Sequence, residues 1–203
     1  MNAIANRRIA AEEGADFYPT PEWATRALLA SESFLGNTWE PACGNGAMAE
    51  VLFHNGLAPC ASDLNDHGYG VSGVDFLNCD ISDPCGPTLG HRPANIITNP
   101  PFNLAEPFLD RALDLATHKV ALLLRLAFLE SAGRAGRIFL NPDRRPARVW
   151  VFSERITFYP AGVQTGGSGT TAYAWFVWDK LHRRETELRW FPPGHKPNGR
   201  DRK

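Results

Sequence analysis

The chain has 203 residues, enough for one well-packed core and small for two full domains. Its 21 Lys and Arg against 22 Asp and Glu leave a net charge of -1, which argues against attachment to nucleic acid by bulk electrostatics. No apolar run is long enough to span a bilayer, and Met1 to Arg8 lacks the apolar segment of a signal peptide, so the expectation is a cytoplasmic protein with no membrane partner.

Cys43, Cys60, Cys79 and Cys85 show no paired short spacing of the zinc-ribbon kind, and free thiols are expected in the cytoplasm. The six histidines are scattered without a metal-ligand pattern, so no metal site is predicted.

In chain order, Thr20-Pro21-Glu22 opens an amphipathic helix through Leu29, with Thr20 as its N-cap and Pro21 in its first turn. Thr38 to Pro41 reads as a strand. Cys43-Gly44-Asn45-Gly46 turns the chain into a helix over Ala47 to His54, ended by Asn55-Gly56. Ala58 to Leu64 reads as a second strand, and a glycine-rich connection leads to Val74-Asp75-Phe76-Leu77; Asp63 and Asp75 fall at strand ends. Ala94 to Thr98 is a buried strand, Leu104 to Ala116 has helical apolar spacing, and Val120 to Leu124 is apolar on both faces, as a central parallel strand must be. Arg148 to Phe152 and Thr171 to Trp178 then follow as strands with no helix between them, which predicts an antiparallel finish to a mostly parallel sheet. Between them Ala161 to Gly169 is a glycine-rich loop. Residues 1–181 thus read as one α/β domain, and residues 182–203 as a basic, frayed tail.

Asn99-Pro100-Pro101-Phe102 sits where the buried strand ends and a helix begins. Neither proline carries an N–H, so the carbonyls here are free of helical pairing and the backbone is rigid. The Asn99 amide and the Pro100 carbonyl can together accept hydrogen bonds from one exocyclic NH2 group, and Phe102 can stack on the base that carries it. The same residues also have the composition of a plain strand-to-helix turn.

In an open parallel sheet a ligand sits beyond the carboxyl ends of the strands, where a glycine turn lets backbone approach it closely. Gly44 and Gly46 occupy that place, and Asp63, about 20 residues on, is positioned to accept ribose hydroxyls. The run Glu40-Pro41-Ala42-Cys43-Gly44-Asn45-Gly46 has no third glycine of the dinucleotide pattern. Glu40 before the turn would repel a pyrophosphate and attract an ammonium. S-adenosylmethionine carries an ammonium, a sulfonium and no phosphate, and Asp75-Phe76 would supply an acceptor and a ring for its adenine.

Assembled in order, these residues resemble the amino-methylating DNA methyltransferases, specifically adenine-N6 enzymes whose cofactor motifs precede the catalytic one. Asp16-Phe17-Tyr18-Pro19-Thr20-Pro21 looks like the N-terminal cofactor motif, Glu40 to Gly46 like the glycine motif, and Asp63-Leu64 and Asp75-Phe76 like the acidic positions. Asn99 to Phe102 looks like the catalytic tetrapeptide. Ser153 to Pro160 and Tyr173 to Trp178 are similar to bacteriophage and prophage members. The resemblance implies a Rossmann-like methyltransferase fold with a mostly parallel seven-stranded sheet whose last strand is antiparallel. It also implies S-adenosylmethionine as cofactor, and DNA, double- or single-stranded, as partner of a monomer or weak dimer.

Family members usually carry a separate target-recognition region, and seven strands leave no room for one, so short or weak sequence preference is expected. Arg134, Arg137, Arg144 and Arg145 are the candidates for phosphate contact, with Phe158 and Tyr159 as further stacking faces. Other planar amines fit the same acceptors: adenine N6 or guanine N2 in RNA, or a protein glutamine amide. From another class, a noncatalytic DNA-binding subunit could keep the fold.

Overall fold

Val120 to Leu124 has no polar face to offer water, and in the computed structural model it lies at the middle of the sheet. The structure describes residues 18–79, 92–158 and 171–197. The sheet is built from β1 (Thr38–Glu40), β2 (Cys60–Ala61), β3 (Asn95–Thr98), β4 (Lys119–Arg125), β5 (Arg148–Phe152), β6 (Tyr173–Asp179) and β7 (Glu187–Phe191). Their order is β2-β1-β3-β4-β6-β5-β7. Of these described strands, β6 alone runs against its neighbours.

Alternation along each strand divides the core in two. Ile96, Val120, Leu122 and Phe176 face helix α3 (Ala105–Leu115), which contributes Phe108, Leu109 and Ala112. Ile97, Leu123 and Trp175 face helices α1 (Glu22–Ser31) and α2 (Ala47–His54), which contribute Ala24, Leu28, Met48 and Leu52. The chain steps from β1 outward to β2, then returns to β3 on the other side of β1. The carboxyl ends of β1 and β3 therefore flank the switch point where such sheets bind ligands.

Four expectations differ from what is found. Thr20 does not cap α1: Pro21 holds the cap position with no side-chain hydrogen bond, because the Thr20 hydroxyl is engaged elsewhere, as described below. Val74 to Leu77 is a turn rather than a strand end, closed by hydrogen bonds from the N–H groups of Asn78 and Cys79 to the Asp75 carbonyl. Cys60 is disulfide-bonded, while Cys43 and Cys79 are free.

The fourth difference is the tail. Residues 187–191 form β7, an edge strand parallel to β5, so the antiparallel strand is the penultimate one. The reason is apolar. Phe191 is fully buried, stacked 5.2 Å from Trp150 and 4.7 Å from Phe152. A run with Leu188, Trp190 and Phe191 among charges has an anchoring side chain that overall basicity conceals.

At the amino end of β4, opposite the switch point, a buried ionic network ties α1 to three strands. Glu32, just past the end of α1, accepts from Arg148, from Lys119 Nζ at 3.1 Å and from Trp150 Nε1 at 2.9 Å. Arg148 also reaches Asp179 at 3.1 Å. Burial alone would raise the Glu32 carboxyl, but hydrogen bonds from Arg148 and Trp150, with the charges of Arg148 and Lys119, hold it below the usual carboxylate range.

Candidate active site

Beyond the carboxyl ends of β1 and β3 lies a cavity of about 320 Å³. Its walls bring together Tyr18, Pro19, Thr20, Glu40, Pro41, Ala42, Cys43, Asp63, Leu64, Asp75, Phe76 and the whole Asn99-Pro100-Pro101-Phe102 run. These are the residues that spacing and resemblance singled out from five separate stretches of chain. Phe17 and Tyr159 lie outside the described residues.

The glycine turn forms one side. Gly44 and Gly46 have φ of 52° and 82°, left-handed values that glycine reaches without steric cost. A Cβ on Gly46 would fall 2.4 Å from the Tyr69 ring, which packs against the turn. The turn is tied to the end of β2: Cys43 N–H donates to the Ser62 carbonyl at 3.0 Å, and Gly44 N–H to Asp63 Oδ2 at 2.9 Å. Asp63 Oδ1 accepts from Asn65 N–H at 2.9 Å. Each carboxylate oxygen thus keeps acceptor capacity beyond the single bond described.

Glu40, the last residue of β1, is buried, and its Oε2 has no hydrogen-bond partner. Burial and then the nearby Asp63 carboxylate push its carboxyl well above the usual carboxylate range, against a smaller pull from the Ala49 N–H. A cation placed beside it would relieve both effects. Burial, with Glu40 and Asp63, also pushes the Cys43 thiol up to about 12, so this sulfur is a neutral part of the wall.

Across the cavity, β3 ends at Thr98 and delivers Asn99, after which Phe102–Leu104 makes a 3-10 turn into α3. Asn99 Nδ2 donates to Thr20 Oγ1 at 3.1 Å. That bond fixes the amide so that Oδ1 is the free acceptor. Asn99 Oδ1 is shut off from solvent and has no partner. Among the described residues, the buried side-chain polar atoms left without a partner include Glu40 Oε2 and Asn99 Oδ1, which belong to two residues that line the cavity. Such atoms are rare in folded proteins because leaving them unpaired is costly, and a ligand bearing a cation and an N–H donor would satisfy both.

Asp75 spends one oxygen on Leu77 N–H at 3.0 Å and the other on Asn78 Nδ2 at 2.7 Å. Phe76 lines the cavity while packing 5.1 Å from Trp39 and 4.8 Å from Phe108. Phe102 belongs to an aromatic group with Tyr173 at 5.5 Å and Phe158 at 6.2 Å, and Tyr18 touches Phe158 at 6.4 Å.

The predicted phosphate-binding arginines are not brought to this cavity. Arg134 donates to Glu106 at 3.0 Å and to the carbonyls of Phe128 and Glu130. Arg137 pairs with Glu106, Arg144 with Asp110, and Arg145 with Glu185. Glu106 and Asp110 are one turn apart on α3, so the segment after β4 lies against an acidic helix face.

No family model matches the chain, and no curated protein matches it in sequence. Among solved structures it is similar to a protein from Listeria monocytogenes assigned as a class I S-adenosylmethionine-dependent methyltransferase, with a TM-score of 0.58 and 12% identity over 93% of this chain and 71% of that one. The fold is that of the S-adenosylmethionine-dependent methyltransferases. A protein from Pyrococcus horikoshii assigned as an RNA methyltransferase has the same fold, with a TM-score of 0.57 and 13% identity over 81% of this chain and 87% of that one. So does a modification subunit assigned to a type I restriction enzyme of Vibrio vulnificus, with a TM-score of 0.50 and 14% identity over 94% of this chain and 51% of that one.

On this methyltransferase fold three residues join the site that sequence reasoning passed over. His67 lines the cavity with Nε2 3.9 Å from Asp63 Oδ1, though it read as one of six scattered histidines. Tyr173 packs on Phe102 from β6. Arg125 lies 4.4 Å over the Phe102 ring. A signal for Arg125 was present: it is the charge that follows the apolar run 120–124 of the central strand, at the strand end where α/β sheets place ligand contacts.

Proposed function

We propose that this chain transfers a methyl group from S-adenosylmethionine to the exocyclic N6 amine of adenine in DNA. The observation that carries the reading is the pair of buried, unpartnered acceptors, Glu40 Oε2 and Asn99 Oδ1, on two residues that line one cavity. Glu40 is suited to the cofactor's ammonium, Asp63 to its ribose hydroxyls, and Asp75 with Phe76 and Leu64 to its adenine. Bound there, S-adenosylmethionine supplies an electrophilic methyl on a sulfonium.

The target amine is a weak nucleophile because its lone pair is delocalised into the purine. Hydrogen bonds from it to Asn99 Oδ1 and the Pro100 carbonyl draw the nitrogen toward tetrahedral geometry and localise that pair. The nitrogen loses its proton after becoming cationic, so positioning, capable of about 7–11 kcal/mol, carries the rate rather than a strong base. In a duplex the base must first be flipped out, at a cost of a few kcal/mol, and the aromatic group around Phe102 must part to admit it.

The polymer is the finer part of the proposal. Resemblance of the motif set and the Vibrio vulnificus neighbour favour DNA; the Pyrococcus horikoshii neighbour favours RNA as the second reading. Mass spectrometry of nucleosides from cells expressing the wild-type chain or Asn99→Ala tests both. N6-methyldeoxyadenosine should accumulate with the wild type and fall by roughly 10²–10³-fold with the variant. A wild-type chain that marks RNA alone, or an Asn99→Ala chain that methylates as well as wild type, refutes the proposal.

A further inference from the structure

Phe102 is the ring proposed to stack on the target base, yet one of its faces is already covered. The Arg125 guanidinium lies 4.4 Å from its centre, and Tyr173, directly opposite Arg125 in the β4–β6 register, packs on it at 5.5 Å. Asn99 Oδ1, three residues away, is shut off from solvent. A guanidinium is flat, delocalised and weakly hydrated, and it stacks on an aromatic face much as a base does. The free protein therefore keeps a planar cation where a base would lie.

That cation is exposed and uncommitted. Arg134, Arg137, Arg144, Arg145 and Arg148 each have a carboxylate partner. Arg125 has the ring and, among the described residues, no carboxylate or carbonyl acceptor. A base sliding onto Phe102 must displace it, and a nucleotide brings, one sugar away from that base, the anion a displaced arginine is built to hold. Bidentate pairing with a phosphodiester is stronger than an exposed cation–π contact, so the exchange runs downhill. A peptide amide brings no such anion.

We propose that Arg125 is a substrate-positioning residue that stacks on Phe102 in the free protein, yields the ring to the target base, and takes the phosphodiester of that nucleotide. The inference rests on the nucleic-acid reading above and deepens it, assigning a phosphate subsite at the mouth of the same cavity.

The test uses the full chain with cofactor present and an adenine-containing DNA oligonucleotide, measuring Kd by fluorescence anisotropy over a salt series, together with kcat and KM for methyl transfer. Arg125→Ala should raise Kd about tenfold and make the dependence of log Kd on log salt shallower by about 0.7–0.9, the share of one phosphate. Cofactor affinity and the thermal midpoint should stay at wild-type values. Arg125→Lys, which keeps the charge and loses the flat fork, should restore the slope and part of the affinity. Arg26→Ala, which opens an exposed pair with Glu22 on α1, should leave the slope alone. If the wild type methylates DNA and Arg125→Ala binds with unchanged affinity and slope, the phosphate role is overturned while the enzymatic reading stands. A wild type that binds cofactor but no DNA overturns both.

Discussion

Thr20→Val tests whether the Asn99 amide, the acceptor proposed for the target amine, is aimed by its neighbour. Thr20 is buried, and its hydroxyl accepts from Asn99 Nδ2 at 3.1 Å; valine keeps the branched shape and removes that acceptor. A neutral hydrogen bond of this kind contributes about 0.5–1.5 kcal/mol net. If its whole worth lies in holding Oδ1 toward the amine, kcat should fall roughly 2- to 13-fold. Asn99→Ala, which deletes the acceptor itself, should cost roughly 10²–10³-fold. The ordering of the two variants is the informative part. Single-turnover transfer of a labelled methyl group to DNA at saturating cofactor gives the rate, and calorimetric titration gives cofactor Kd. A Thr20→Val protein with the wild-type rate but weakened cofactor binding would refute the argument, because Thr20 would then be a cofactor contact and not the support of Asn99.

Two other outcomes follow from the buried acids. Burial and then the Asp63 carboxylate raise the Glu40 carboxyl, and a bound ammonium opposes both, so cofactor binding should favour proton release and strengthen as pH rises. Calorimetry in buffers of differing ionisation heat counts that proton, and Glu40→Gln should abolish the release. A raised acid contributes stability that is present below its unfolded pKa and lost as pH rises through the folded one. Glu40→Gln should therefore stabilise the cofactor-free protein at neutral pH while weakening cofactor binding. Glu32 and Asp179 have the opposite sign: both are held below the usual range, so their contribution is present above the unfolded carboxylate pKa and lost as pH falls through the folded values. Glu32→Gln should cost roughly 3–5 kcal/mol at neutral pH by leaving Arg148 and Lys119 under-compensated, and urea titrations of variant and wild type should converge in acid.

Most of the fold was legible because its signals are local. Helix α2 runs over Ala47–His54 as its glycine punctuation predicts, and β5 keeps its expected bounds. The apolar run over residues 120–124 has no other place than the sheet centre. Seven strands were expected and seven are found among the described residues, yet for partly different reasons. Val74 to Leu77 carries strand-like residues but curls around the Asp75 carbonyl, a local competition that composition does not resolve. Residues 187–191 read as tail because their charges mask one deeply buried ring. The site was legible to the extent that its parts lie at strand ends. Partnerships were not: Thr20 looked like a helix cap, and nothing local says that its hydroxyl is matched to an amide 79 residues away. The partners of the arginine-rich stretch were hidden for the same reason, since the acids that pair with it lie on α3 and, for Arg145, at Glu185.

The network around Glu32 bears on how this protein comes into being. Thr20 lies just before helix α1 and Glu32 just after it, and Glu32 is seated by Arg148 and Trp150, 116 and 118 residues further on. On the ribosome, a nascent chain that has exposed the glycine turn and the Asn-Pro-Pro-Phe run still lacks the anchor for the segment that orients Asn99. Under the proposed function, cofactor capture and base capture would wait until synthesis has passed β5, and a chain truncated before that point would carry Asn99 and Thr20 without the anchor at Glu32.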